Sequence, residues 1–221
     1  MRHARVFAAA LLIFGTMTAA GLGQVVLTNP ITGTNPGASN PFNSGQTVAA
    51  NLSASGIGRG SGIAASSATD RYSASGWNSP ALGATDYFTW TLTPAADYQL
   101  TLTSFSYTAQ VSGTGPTSFA FRSSLDSFSG NLGPATSTGG AITLSSGMFS
   151  GLTSPVEFRL YGWGASSGTG TFSVNDFTFN GTLSAVPEPS TYAAIAGAAG
   201  LAVALVRKRG RRRPTEPAPR V

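Results

Sequence analysis

The chain has 221 residues, 41% of them hydrophobic and 10% charged, with a formal net charge of +5. It has no Cys, and its one His is His3; disulfides, Cys-zinc sites, iron–sulfur ligation and thiol nucleophiles are excluded. Residues 24–186 also carry no His or Lys, which removes Ser-His-Asp triads, Lys Schiff bases and His-built zinc sites from that stretch.

Arg2, His3 and Arg5 give a positive start, Val6 to Ala20 is apolar or small, and Ala19, Ala20, Gly21 and Gly23 supply the small residues a signal peptidase needs. Residues 1–23 therefore read as a secretory signal peptide, with the mature chain starting near Gln24.

Val25 to Leu27 suits a short strand. Thr28 to Gly45 is dense in Asn, Pro and Gly, so 24–45 is expected to be mainly loop or a flexible arm. Gly56 to Gly62 is Gly-rich and interrupted by Ile57. From Asp86 the pattern sharpens. Phe88, Trp90 and Leu92 alternate with Thr89, Thr91 and Thr93, which is the period of a half-buried strand. Pro94 to Asp97 is a turn, and Tyr98, Leu100 and Leu102 alternate again. Phe105 and Tyr107 then fall on the opposite parity, and a bulge near Thr103 or Ser104 restores their inward direction.

Phe119 with Phe121, and Ile142 with Leu144, mark two further strands. Pro155 to Trp163 sets Val156, Phe158 and Leu160 against Glu157, Arg159 and Tyr161, so Glu157 and Arg159 share an outward face and pair. Phe172 and Val174 precede Asn175-Asp176, after which Phe177 and Phe179 shift parity; a second bulge or tight turn is expected there. Asn180-Gly181 reads as the end of the last strand. The fold expected for 24–184 is all-β, an antiparallel β-sandwich or jelly roll of about eight to ten strands in two sheets.

The C-terminus has three parts in order: Val186-Pro187-Glu188-Pro189, within a short linker from Ser184 to Pro189, then the uncharged run Tyr192 to Val206, and then Arg207, Lys208, Arg209, Arg211, Arg212 and Arg213. The run is expected to be a single transmembrane helix over 192–206. At about 22 Å it is short against a bilayer core of about 30 Å, and rich in Ala and Gly, which suits a temporary stop. Arginines abutting an apolar helix are read as a topological anchor on the cytoplasmic side, with 214–221 as a short cytoplasmic tail.

This ordered trio, paired with an N-terminal signal, resembles the PEP-CTERM sorting signal of Gram-negative bacteria. The resemblance spans roughly Ala185 to Arg213 and carries no catalytic residue. It implies handling by an exosortase, a membrane-embedded processing enzyme that cuts near the triplet. It also implies export across the inner membrane, transient membrane anchoring, and delivery to the cell surface or extracellular matrix alongside exopolysaccharide. The tail Pro214 to Val221 departs from the family, whose members usually stop soon after the basic cluster.

The net charge belongs to the ends. Residues 24–186 hold four arginines against six acids, a slightly negative body with no footprint for nucleic acid. Carboxylate chemistry is the main enzymatic option left, with Glu157 and Asp126 as the residues to test for glycoside hydrolysis, but Glu157 reads as the partner of Arg159. No catalytic residue is assigned and no cofactor is expected. A structural calcium is the one metal considered, with Asp176 beside Asn175 first and Asp126 second. Saccharide contact by Trp77 and Trp163 is the alternative function, that of a carbohydrate-binding module.

Overall fold

A computed structural model describes residues 23–187 and 189–210. The signal segment, apart from Gly23, lies outside the described residues, as do Glu188, Arg211, Arg212, Arg213 and the tail 214–221.

Among the described residues there are twelve strands and one α-helix. In chain order they are β1 (Gln24–Asn29), β2 (Thr47–Val48), β3 (Leu52–Ala54), β4 (Gly58–Arg59), β5 (Ala64–Ser66), β6 (Tyr72–Ser75), β7 (Tyr87–Pro94), β8 (Tyr98–Val111), β9 (Ser118–Ser123), β10 (Gly139–Thr143), β11 (Val156–Trp163), β12 (Thr171–Ala185) and α1 (Pro189–Gly210). A seven-stranded sheet has the order β10-β8-β12-β1-β2, with β6 also against β12 and β5 against β6. A five-stranded sheet has the order β3-β7-β11-β9, with β4 also against β7. Every pairing is antiparallel.

The two sheets face each other across an aromatic layer. Trp90 of β7 meets Phe105 of β8 at 5.2 Å and Phe177 and Phe179 of β12 at 5.4 and 6.2 Å between ring centroids. Phe88 stacks on Phe172 at 5.6 Å. Fully burying such side chains stabilises by roughly 1.5–3 kcal/mol each before entropy, which is how a chain without disulfides holds its fold. This arrangement is consistent with a β-sandwich.

Both parity shifts are β-bulges. In the β8–β12 ladder Asn180 faces Ser104 and Gly181 faces Leu102, leaving Thr103 as the extra residue of β8. Gly181 fits there because a Cβ would run into the Thr101 carbonyl. Higher up, Val174 faces Ala109 and Asp176 faces Thr108, so Asn175 is the extra residue of β12. Each bulge turns the following aromatic pair inward: Phe105, Tyr107, Phe177 and Phe179 are all buried.

Five expectations are corrected. Residues 30–45 are not a free arm: Ile31 and Phe42 are buried, Asn35 caps a 3-10 turn at Pro36–Ala38, and Arg59 donates to the Gly37 and Ser39 carbonyls at 2.9 Å. The short strands β2 to β5 raise the count above that expected, because two- and three-residue pairings carry no readable period. The last strand does not end at Asn180-Gly181. It runs to Ala185, and Val186 N–H still donates to Asp97 O at 2.7 Å, so Ser184 and Ala185 belong to the sheet rather than to a linker. The C-terminal helix is longer than the uncharged run, starting at Pro189, where a missing N–H costs nothing, and continuing through Arg207 and Lys208. Yet no helix among the described residues is long and apolar enough to cross a membrane. The transmembrane expectation for 192–206 is therefore not met. Its Ala and Gly residues favour or tolerate helix but bring little apolar surface.

Candidate functional site

The outer face of the five-stranded sheet carries the richest polar and aromatic grouping. Alternation along β11 puts Glu157, Arg159, Tyr161 and Trp163 in one outward row, with Thr89 opposite Arg159 and Tyr87 opposite Tyr161 on β7, and Arg122 opposite Arg159 on β9. Arg159 Nε donates to Glu157 Oε1 at 2.6 Å, the pair expected from their spacing. Thr89 Oγ1 donates to the same carboxylate oxygen at 3.0 Å. The Arg159 guanidinium lies 3.8 Å from the Phe128 ring centroid and 4.3 Å from that of Tyr87, distances at which cation–π attraction operates. Tyr87 and Tyr161 meet edge to face at 5.3 Å, and Arg122 donates to Asn131 Oδ1 at 2.9 Å and Phe128 O at 2.8 Å.

The electrostatics follow from this packing. Burial works against the Arg159 charge, but its bonds to Glu157 and Tyr161 outweigh that and hold its pKa above the ordinary arginine value. Burial pushes the Tyr87 hydroxyl up, with Arg159 pulling the other way and Glu157 adding to the rise. The cluster is thus a closed arrangement in which each charge already has its partner. It ties the two central strands, β7 and β11, together on the outer face, and Glu157 is committed to Arg159 and Thr89.

The other candidate residues are dispersed. Trp77, expected at the surface, is a correction: it is fully buried, packs edge-on against Phe88 and Phe172 at 5.1 and 5.7 Å, and donates from Nε1 to Ala74 O at 2.8 Å. The polar residues around it are a turn that folds the indole inward. Trp163 is half-buried at the end of β11, and its carbonyl accepts from Thr117 N–H at 3.1 Å.

Asp126 Oδ2 accepts from Gly130 N–H at 2.8 Å and Ser129 Oγ at 3.2 Å, the geometry of a turn cap. Its Oδ1 is buried without a hydrogen-bond partner. Asp176 sits in the β12 bulge and accepts from Thr108 Oγ1. Asn175 Oδ1 beside it is buried and unpartnered. Asp126 and Asp176 are not brought together, and no group of three or more His, Cys, Asp or Glu that could hold a metal occurs among the described residues.

Two features escaped the sequence. Asp86 is a buried carboxylate that accepts from Ser79 Oγ and, at 3.2 Å, from Thr85 Oγ1; the Ser and Thr beside it are a faint signal. Arg71 and Gln110, far apart in the chain, are brought to hydrogen-bonding distance on the outer face of the seven-stranded sheet.

At the C-terminal boundary the sorting residues are split between elements. Val186 is held by its bond to Asp97, Pro187 is exposed, and Pro189 opens α1. From Ala193 to Lys208 every helix side chain is exposed, including Ile195 at 63%, Leu201 at 63% and Val206 at 70%. Arg207 and Lys208 project from the last turns, and Arg209 continues the helical backbone. No known protein family matches the chain, and neither a characterised protein nor a solved structure matches it.

Proposed function

We propose that the chain is an exported, non-catalytic protein of the cell surface or extracellular matrix, delivered by a PEP-CTERM-type tail and handled by an exosortase. The observation that carries this reading is where the fold stops. The last sheet hydrogen bond is at Val186, and the Pro187-Glu188-Pro189 triplet begins at the next residue. A cut at the triplet costs the sheet no ladder bond. The helix beyond carries apolar side chains that nothing among the described residues covers, a state that suits a membrane or a protein partner. Too weakly apolar to root the protein alone, it acts as a transient stop recognised with the basic cluster by a membrane-embedded enzyme.

Two further features support the reading. From β6 onward the chain changes sheet at every step, β6 to β7 to β8 and on to β12, and β12 lies between β6 and β8 while β11 lies between β7 and β9. That alternation supports the jelly-roll form of the sandwich, two sheets joined by repeated crossings. In addition, Glu157 is tied to Arg159 and Asp126 caps its own turn, which supports a binding or structural role over hydrolysis.

Mass spectrometry of the protein from its own cells tests the proposal. The expected product starts near Gln24 and ends at or near the triplet, in an envelope or extracellular fraction. Recovery from the cytosol with both termini intact overturns it.

A further inference from the structure

Four arginines lie between residues 24 and 186, and three are consumed by the fold. Arg59 is bonded to two carbonyls and lies over the Tyr72 ring at 4.4 Å. Arg122 is bonded to Asn131 and Phe128. Arg159 is ion-paired and held by two rings. Arg71 differs. Among the described residues its guanidinium meets neither carboxylate nor ring, and its side-chain bond is from Nη1 to Gln110 Oε1 at 2.5 Å. Its Nε and Nη2 donors meet no protein acceptor among the described residues. An arginine positioned by an amide but not neutralised retains its affinity for an anion.

Arg71 and Gln110 border a groove of about 380 Å³ on the outer side of the seven-stranded sheet. Its floor is Ser73 of β6 and Ser173 of β12, which face each other across the ladder at 2% and 5% exposure. Ser112 and Thr171 add hydroxyls at one end. No carboxylate lines it, and Asp176, further along β12, is taken up by Thr108. The groove thus offers one unneutralised cation among hydroxyls, in a volume at the lower end of the range for small-molecule sites, roughly 300–1,000 Å³.

We propose that this groove binds a hydroxylated monoanion, a uronic acid unit of a polysaccharide: its carboxylate meets the Arg71 fork and its hydroxyls exchange hydrogen bonds with the serines of the floor. The proposal draws on the export reading only for where such a ligand is met. Binding is non-covalent and involves no chemistry.

Titration calorimetry tests it on the full chain, kept in solution with a detergent that carries no sugar headgroup. The probes are oligogalacturonate, a neutral galactose oligomer and inorganic phosphate. Saturable binding is expected for the uronate alone. Arg71→Gln should weaken it by about tenfold or more, the scale of one charge-assisted hydrogen bond. Gln110→Glu provides a second route: Gln110 is exposed, so the fold tolerates the change, and the new carboxylate neutralises Arg71 with the same loss of affinity. Thr91→Ala, on the other sheet, should leave binding unchanged. Absence of uronate binding, equal binding of the neutral oligomer or phosphate, or undiminished affinity in Gln110→Glu overturns the proposal. None of these results bears on where the native protein is cut, so the two readings fail separately.

Discussion

The paired sheets and the C-terminal helix are both rich in apolar residues and treat them in opposite ways. In the sheets, Trp90, Phe105, Phe158, Phe177 and Phe179 have no exposed surface at all. In the helix, Ile195, Leu201, Val203, Leu205 and Val206 are each more than half exposed. The first set is spent on holding the fold; the second is left over for something outside it. Stability and targeting are therefore expected to separate along the chain, with the boundary at Val186.

The largest effect should come from shifting the central strand by one residue. Deleting Thr178 forces a choice in β12. Either Phe177 stays inside and Phe179 turns out, bringing Asn180 in, or Phe179 stays and Asp176 enters the core. Both exchange a buried ring for an unpaired polar group, and loss of cooperative unfolding is expected. Deleting Asn175, three residues earlier in the same strand, removes the bulge and leaves Val174 and Phe177 in register with Ala109 and Tyr107, so a cooperative transition should survive. Circular dichroism during urea titration distinguishes the two; equal damage from both deletions breaks the account of the core. Next comes Trp90→Ala, which takes from the centre of the layer a ring touching Phe105, Phe177 and Phe179. The cost should be about 3–5 kcal/mol, read from the urea midpoint.

A smaller, pH-dependent effect belongs to Tyr72. Burial raises its hydroxyl pKa from 10.0 to about 12, against the pull of Arg59. The neutral form is thus favoured by folding. The stabilisation is fully present below about pH 10 and is lost as pH rises towards 12. Tyr107, also raised by burial, adds in the same direction. Tyr72→Phe should lower stability by about 1 kcal/mol near neutrality, through loss of the bond to Ser39 O, and flatten the decline above pH 10. Urea midpoints at pH 8 and pH 11 show whether it does; an unchanged slope removes Tyr72 as the cause. Glu157→Gln, which weakens a partly exposed ion pair, should cost under about 1 kcal/mol.

Much of the core was legible because aromatic alternation names its own faces. The breaks in that alternation were informative too: Phe105 and Phe177 can point inward only if an extra residue precedes each, and the ladder puts those residues at Thr103 and Asn175. The illegible parts have a common physical origin. The strands β2 to β5 are too short for a period. Trp77 sits among Gly, Asn and Ser, and it takes contacts distant in the chain, with Phe88 and Phe172, to show that its indole folds inward. The helix bounds were misplaced because absence of charge is not a condition for helix, and lysine and arginine propagate one well. Arg71 and Gln110 meet across strands far apart in sequence, so no local pattern announces them.

The smallest expected effect is the most direct test of the division. A chain ending at Pro187 keeps β12 and the Val186 bond to Asp97 while losing all of α1. No apolar side chain of the helix between Ala193 and Lys208 is buried, so losing that stretch uncovers none of the described core. The melting temperature should stay within about 2 °C of the full chain, a shift that corresponds to no more than about 1 kcal/mol for a domain of this size. Ending the chain at Asn180 instead strips the ladder from Gly181 to Ala185, with its partners Tyr98 to Leu102, and should destabilise clearly. If both truncations cost the same, or if loss of the helix alone lowers the melting point by more than a few degrees, the exposed apolar helix is part of the fold, and its availability for membrane or enzyme disappears as an argument.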